Sequence, residues 1–147
     1  MTPKLPVSVL VVVHTAALEV LLLERAMRAG FWQSVTGSLD RLDETPEEAA
    51  RREVLEETGI DARSGVLARW PVANRFEIYA RWRHRFAPGV AHNTEHVFAL
   101  RLPARCEVAL APAEHTRHEW LPWREAAAQC FSWSNRDAIV MLAERVC

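Results

Sequence analysis

The sequence predicts an α/β fold in which helices pack on both sides of a mixed central sheet. Residues 7–13 and 20–24 are dense in β-branched and aliphatic side chains, as buried strands are. Residues 46–58 have the signals of a single short helix, and an amphipathic segment capped near Ser134 predicts a second helix. Strands and helices in this order favour a layered α/β/α sandwich, built as one domain over residues 1–147.

Further strands are predicted where apolar and polar residues alternate. The clearest alternation runs through residues 76–86, which we interpret as a long half-buried strand with a basic outer row. Residues 95–102 are its expected antiparallel partner across a turn at 87–89. The remaining predicted strands are residues 31–36 and the short segment 119–121.

The helix over residues 46–58 is fixed by local chemistry at both ends. Thr45 and Glu48 have the spacing of a capping box, and Pro46 occupies the first helical position. Gly59 supplies the left-handed residue that ends the helix. These short-range signals predict both boundaries.

Three carboxylates of this helix, Glu53, Glu56 and Glu57, are three or four residues apart and therefore lie on one side. Like charges at this spacing repel, whereas Mg²⁺ takes carboxylate oxygens and keeps positions that phosphate can occupy. Arg52 precedes Glu56 by four residues, a spacing that suits a charge-assisted hydrogen bond. The segment is either a divalent-metal site that handles phosphate or a solvated acidic helix face.

Composition limits the partners. The chain has 147 residues, a formal net charge of −1 and 50% apolar residues, so nothing in it suggests bulk attraction to nucleic acid or to an acidic membrane. Three widely spaced cysteines argue against a disulfide framework and predict a reducing, cytoplasmic location. The apolar run after Lys4 is too short to span a bilayer and is interpreted as a strand. The oligomeric state is left open, and a monomer is compatible with the sequence.

The segment from Gly37 to Ile60 resembles the signature of the Nudix hydrolases, G-x5-E-x7-R-E-U-x-E-E-x-G-U, in which U is aliphatic. The positions that match in register are Glu44, Arg52, Glu53, Val54, Glu56, Glu57, Gly59 and Ile60. Six residues separate Gly37 from Glu44 where the family has five, so the longer loop puts the places of these two residues in question. The resemblance implies a Nudix-type α/β/α sandwich that hydrolyses a diphosphate linkage with a divalent cation.

Nearly the whole chain is similar to one branch of that family, the bacterial enzymes that act on dihydroneopterin triphosphate in folate synthesis. The segments that carry this likeness are residues 4–8, 31–38, 76–78, 83–90, 93–95, 114–115 and 132–136. The likeness implies Mg²⁺-dependent hydrolysis of 7,8-dihydroneopterin triphosphate to the monophosphate and pyrophosphate, with Mn²⁺ as a possible substitute. The expected partner is therefore a small-molecule triphosphate.

The resemblance also implies roles for individual residues. Glu53 and Glu57 are the expected metal ligands, with Glu56 completing the set and Glu114 approaching from outside the signature. The general base is either Glu56 or Glu114, and Arg52 is placed in the catalytic set because it would hold Glu56. The residues expected to contact substrate are Lys4, Arg25, Thr36, Phe76, Glu77, Ile78, Tyr79 and Ser132, with Lys4 and Arg25 on the phosphates.

Most of these substrate residues also have an ordinary interpretation. The alternatives are a surface charge for Lys4 and Arg25, a turn for Thr36, core packing for Phe76 and Ile78, and a helix start for Ser132. Glu77 has the chemistry to accept hydrogen bonds from a ring N–H and amino group. His84 and His115 are interpreted as structural.

Two other functions remain open. One is a Nudix enzyme that prefers nucleoside triphosphates and clears damaged nucleotides, because the metal site is shared and the base pocket decides. The other is a non-catalytic Nudix-like module that binds a nucleotide or RNA. Such modules usually lose signature glutamates, whereas Glu53, Glu56 and Glu57 are all present here.

Overall fold

The computed structural model describes residues 2–146; Cys147, one of the three cysteines, lies outside them. The strands are β1 Val7–Thr15, β2 Glu19–Arg25, β3 Trp32–Gln33, β4 Val35–Ser38, β5 Val66–Glu77, β6 His92–Leu102 and β7 His115–Pro122. The helices are α1 Pro46–Thr58, α2 Trp123–Gln129 and α3 Trp133–Val146. The strands form one mixed sheet in the order β3-β2-β1-β6-β5, with β4 also paired to β1 and β7 to β2. Strands β1 and β6 are parallel, and the other pairs are antiparallel.

The sheet lies between two helical layers because successive side chains of β1 point to opposite faces. Val9 and Val11 pack with Val54 of α1 on one face. Leu10 and Val12 pack on the other face, where the core includes α2 and Ile139 of α3. The predicted α/β/α sandwich is therefore confirmed.

Helix α1 begins and ends where the local signals predict. Thr45 accepts from the backbone N–H of Glu48, the Glu48 side chain accepts from the backbone N–H of Thr45, and Gly59 has φ +72°. The prediction of two helices is wrong, because α2 also forms directly after Pro122 without a capping side chain. The cap of α3 is also displaced: the hydroxyl of Ser132, rather than Ser134, accepts from the backbone N–H of Asn135.

The predicted strand at residues 76–86 is wrong. Strand β5 ends at Glu77, and Ala80–Arg85 form a 3₁₀ turn in which the Arg83 side chain donates to the carbonyl of Ile78. Trp82 and Phe86 line the cavity described below, so their apolar character serves a cavity wall and not a sheet face. The antiparallel partner of β6 is instead β5, with Phe76 opposite Asn93.

No helix within residues 2–146 is both long and apolar enough to cross a membrane.

Candidate active site

The functional face of α1 is organised by Arg52. Its guanidinium donates to both oxygens of Glu44 at 2.9 and 3.0 Å, to Glu53 at 2.8 Å and to Glu56 at 3.2 Å. It also donates to the carbonyl of Ser38 at 3.0 Å, which ties the helix to the end of β4. The planar fork of arginine suits such a set of acceptors, and Arg52 thereby fixes three signature carboxylates at once.

Glu44 is a structural anchor of the longer loop. It is buried, and besides Arg52 it accepts the backbone N–H of Asp40 at 2.8 Å. The guanidinium of Arg52 holds the pKa of Glu44 below its usual range. The extra residue between Gly37 and Glu44 therefore leaves the contact of Glu44 with the signature arginine in place.

Gly37 makes room for Glu53. A Cβ atom on Gly37 would lie 2.2 Å from the carboxyl carbon of Glu53 and 2.2 Å from one of its oxygens. A side chain at position 37 would therefore displace the Glu53 carboxylate, so the bare backbone of β4 is what allows this carboxylate to lie against it. Burial raises the pKa of Glu53, although the adjacent Arg52 opposes the shift.

Glu57 is the most buried of the signature glutamates. It is 1% exposed, and neither carboxylate oxygen has a hydrogen-bond partner among the described residues. Burial and the neighbouring Glu53 raise its pKa strongly. A buried carboxylate without partners costs several kcal/mol when ionised, and a cation removes that cost.

Donor atoms of Glu57, Glu114 and His115 all lie within 4.8 Å of one another. Carboxylate oxygens are the ligands that hard divalent cations prefer. The unpartnered oxygens of Glu57 and the exposed Glu114 therefore fit a divalent cation. We define the acidic end as Glu57 and Glu114 together with Glu53, which neighbours Glu57 but does not itself line the cavity.

His115, which the sequence analysis treats as structural, contacts this end. The side-chain amide of Gln33 lies 3.2 Å from Nε2 and donates to it, so the neutral ring carries its proton on Nδ1. Nδ1 lies 3.7 Å from a carboxylate oxygen of Glu57. Burial lowers the pKa of His115 to about 4, which keeps the ring neutral. The Nδ1–H therefore faces Glu57 at a distance longer than a hydrogen bond, and Nδ1 has no hydrogen-bond partner among the described residues.

A cavity of about 690 Å³ opens from the acidic end. Among the predicted site residues it is lined by Lys4, Arg25, Thr36, Glu57, Phe76, Glu77, Ile78, Tyr79, Glu114 and Ser132. The predicted residues that do not line it are Arg52, Glu53 and Glu56. Of these three, Glu56 has the most exposed side chain, at 55%, and it is held by Arg52.

Three cations face the cavity: Lys4, Arg25 and Arg85. None of them forms an ion pair with another residue in the 2–146 range. Desolvation and the charges of Arg85 and Arg25 lower the pKa of Lys4, and desolvation and Arg85 lower that of Arg25. Cations that repel one another in this way form a site for a polyanion.

The other residues predicted to contact substrate differ in burial and in whether their polar groups already have a hydrogen-bond partner. Thr36 already donates its hydroxyl to the carbonyl of Val9 at 3.0 Å, and Ser132 caps α3. Ile78 is buried, whereas Tyr79 is 60% exposed and packs edge-on against Trp82. Glu77 is exposed and bound by Arg83 at 2.6 Å.

The comparisons with known proteins agree with this fold and site. The NUDIX domain family matches residues 4–142, and the chain belongs to that family. The chain is 45% identical to dihydroneopterin triphosphate diphosphatase of Escherichia coli (strain K12) over 92% of this chain and 91% of that protein. It is 35% identical to the protein of the same name from Haemophilus influenzae, over 90% of this chain and 84% of that protein.

A solved structure gives the same result. The structure of the E. coli dihydroneopterin triphosphate pyrophosphohydrolase has a TM-score of 0.86 and 44% identity to this chain, and covers 96% of this chain and 97% of the other. The resemblance to this branch of the Nudix hydrolases, stated from the motifs, is therefore confirmed.

Sequence reasoning missed several residues of the cavity. From sequence, Arg85 belongs to the outer row of a predicted strand and His115 is interpreted as structural. Asn93 and Glu95 belong to a segment that carries the family likeness, without a predicted role. Alternation along β6 is the signal that could have identified Asn93 and Glu95, because residues two apart on a strand lie on the same face. The positions of Arg85 and His115 depend on long-range packing that no local pattern encodes.

Proposed function

We propose that the protein hydrolyses 7,8-dihydroneopterin triphosphate to the monophosphate and pyrophosphate, using Mg²⁺, as a step toward folate. The observation that carries the proposal is the presence of two features in one cavity: the buried carboxylate of Glu57 without a hydrogen-bond partner, and three cations without ion pairs, both counted over residues 2–146. The first needs a cation, and the second needs a polyanion. The substrate is inferred from the relatives described above, which are dihydroneopterin triphosphate diphosphatases.

Glu53, Glu57 and Glu114 are the residues proposed to hold the cation, with Glu56 at the edge of the set. A divalent cation bound there supplies neutralisation of the charge that builds on phosphate oxygens during hydrolysis. Mg²⁺ is proposed because the donors are oxygens, and Mn²⁺ is the expected substitute.

The phosphate chain is proposed to lie along Lys4, Arg25 and Arg85. Arginine binds phosphate oxygens through a planar pair of N–H donors, and lysine adds a point charge. Desolvation inside the cavity strengthens these contacts, which fixes the diphosphate linkage beside the acidic end.

The general base was left open between Glu56 and Glu114, and the geometry favours Glu114. Glu114 lines the cavity and forms no ion pair in the described part of the chain, so its carboxylate is available for the proton of the attacking water. Glu56 is drawn away by Arg52 and lies outside the cavity lining. Arg52 is accordingly proposed as a positioning residue for Glu44 and Glu53.

Product analysis with Mg²⁺ tests the function. Dihydroneopterin triphosphate and the deoxynucleoside triphosphates are compared at equal concentration, and we expect a strong preference for the pterin with release of pyrophosphate. Preference for a nucleotide instead supports the nucleotide-pool alternative, and absence of hydrolysis supports the binding module.

The proposal also covers domain organisation, partners and location. We propose a single domain over residues 1–147, no nucleic-acid or membrane partner, and a cytoplasmic location inferred from the sparse cysteines. The oligomeric state stays open, and a monomer is compatible with the sequence.

A further inference from the structure

The cavity contains a second polar group of residues, away from the acidic end. Asn93 and Glu95 of β6 and Ser8 of β1 lie on its floor, and we call these three residues the floor cluster. Each is less than 10% exposed. Nothing in the reaction proposed above uses them, although a buried acid and a buried amide are costly to keep without a purpose.

Strand register brings the floor cluster together. Asn93 and Glu95 are two residues apart on β6, so their side chains share one face. Ser8 is the parallel neighbour of Glu95, and the amide nitrogen of Asn93 donates to the Ser8 hydroxyl at 2.8 Å. On the other side, Phe76 of β5 is paired with Asn93. A flat ring above this face would meet acceptors along one edge and an aromatic neighbour beside it.

The acceptors of the floor cluster have capacity to spare. The carbonyl oxygen of Asn93 has no hydrogen-bond partner among the described residues. Glu95 forms no ion pair within residues 2–146, and the Asn74 amide reaches it only at 3.5 Å. Burial raises the pKa of Glu95, with the Ser134 hydroxyl and Asn74 opposing the shift. A ligand with several N–H donors on one edge would satisfy both groups.

We propose that Glu95 and Asn93 recognise a ring edge on which an N–H and an exocyclic amino group are adjacent, the edge that a 2-amino-4-oxo pterin presents. A carboxylate accepts two parallel N–H donors through its two oxygens, and Asn93 supplies a further acceptor for the amino group. The inference rests on the proposed function, since it assigns the ring end of that substrate.

The spacing of the strands supports this arrangement. At Ser8, β1 lies between β4 and β6, because Ser8 pairs with Ser38 on one side and with Glu95 on the other. Two ladder spacings separate β6 from β4 by about 10 Å. That separation places Glu95 two strands away from Thr36 and Gly37 of β4, which line the same cavity.

Glu77 is the residue that the sequence suggests for reading the ring. In the structure its carboxylate is exposed and already bound by Arg83, so water and a cation compete for it. Glu95 is 6% exposed and has no such partner, and a buried carboxylate discriminates more sharply than an exposed one.

Ligand binding without phosphate tests the inference separately from hydrolysis. Fluorescence titration of the full chain compares neopterin with its lumazine counterpart, in which an oxo group replaces the 2-amino group. We expect wild type to prefer neopterin, and Glu95→Gln to weaken neopterin binding by about 10- to 100-fold while binding the lumazine nearly as before. Asn93→Ser should lose less, because it removes a neutral acceptor. Glu125→Gln, at an exposed position of α2, is the control and should match wild type.

The outcomes separate the inference from the function. Thermal unfolding verifies that each variant is folded, and Asn93→Ser provides the second test where Glu95→Gln fails to fold. If Glu95→Gln keeps the wild-type preference for neopterin, or if Glu77→Gln alone abolishes it, the inference is overturned even when the enzyme hydrolyses dihydroneopterin triphosphate. If the preference depends on Glu95 but the triphosphate is not hydrolysed, the ring site stands and the proposed function fails.

Discussion

The acidic end of the cavity and the floor cluster are assembled from different ranges of the chain. The contacts that hold Glu53 in place join residues within the stretch 37–56. The floor cluster instead depends on Asn93 meeting Ser8, 85 residues away in sequence, and α3 is tied in by Asn135, 101 residues from Ser34. Local contacts make the position of Glu53 robust to changes elsewhere, although Glu114 reaches the acidic end from a distant part of the chain. The floor cluster, in contrast, changes whenever the strand register changes.

The largest expected effect comes from the acidic end. Glu57→Gln should reduce kcat by about 1,000-fold or more, because a cation that stabilises the transition state by several kcal/mol loses its most buried ligand. Steady-state hydrolysis of dihydroneopterin triphosphate measures this. Glu47→Gln on the same helix, which loses only an exposed ion pair to Arg69, is the matched control. Hydrolysis by Glu57→Gln at the wild-type rate would contradict the metal assignment.

A smaller effect is expected where the backbone makes room for a ligand. Gly37→Ala places a methyl group against the carboxylate of Glu53, which has to move, and a displacement near 1 Å costs about 100-fold in kcat. The required Mg²⁺ concentration should rise as well. Gly89→Ala adds an atom that meets open space, but at φ +88° it also adds backbone strain, so melting temperatures are compared alongside kcat to separate the displacement of Glu53 from the general cost of the substitution. Equal kcat values for the two variants would show that Glu53 tolerates the shift.

Arg52→Lys should have a third, intermediate effect. Lysine cannot serve Glu44, Glu53 and Glu56 at once, so we expect kcat to fall about tenfold and the melting temperature to drop by several degrees. Arg51→Lys, next to it and exposed, is the control for loss of an arginine on this helix. An unchanged melting temperature together with an unchanged kcat in Arg52→Lys would contradict the proposed positioning role of Arg52.

The same contrast explains what sequence could predict. The bounds of α1 follow from Thr45, Pro46 and Gly59, which act within one turn, and the family motif supplies the glutamates. The predicted strand through residues 76–86 failed because β5 ends at Glu77, where pairing with β6 stops, and pairing is a long-range property. Its alternating aromatic residues are explained by the cavity that Trp82 and Phe86 line.

The burial of the floor cluster could not be predicted, for a related reason, although alternation along β6 places Asn93 and Glu95 on one face. Glu95 is one acid among 19 acidic residues, and nothing adjacent in sequence marks it as buried. Its burial follows from the pairing of β6 with β1 and β5, and no residue in the 2–146 range forms an ion pair with its carboxylate. Glu77, which local chemistry favours for the ring, is instead engaged by Arg83 from the 3₁₀ turn that the alternation concealed.

The smallest expected effect is a change in the pH dependence of stability when divalent cations are removed. Burial and the adjacent Glu53 raise the pKa of Glu57 above the usual value of 4.5, so the folded chain keeps a proton that the unfolded chain releases. The unfolded state then binds fewer protons, and the free energy of unfolding falls as pH rises above that value. With EDTA, the melting temperature should therefore be lower at pH 8.5 than at pH 7, a window above the usual pKa of histidine, by a few degrees.

Saturating Mg²⁺ should reverse this trend, because it binds the ionised carboxylates and stabilises the folded chain by about 2.7 kcal/mol at 100 times its dissociation constant. Glu57→Gln has no proton to lose at this position, so its melting temperature in EDTA should change less between the two pH values and respond less to Mg²⁺. The floor cluster provides the internal comparison. Glu95→Gln removes a buried acid away from the proposed metal ligands, so its response to Mg²⁺ should equal that of wild type. An Mg²⁺ response that disappears in Glu95→Gln would mean that the two ends of the cavity are coupled and that the division between them is wrong.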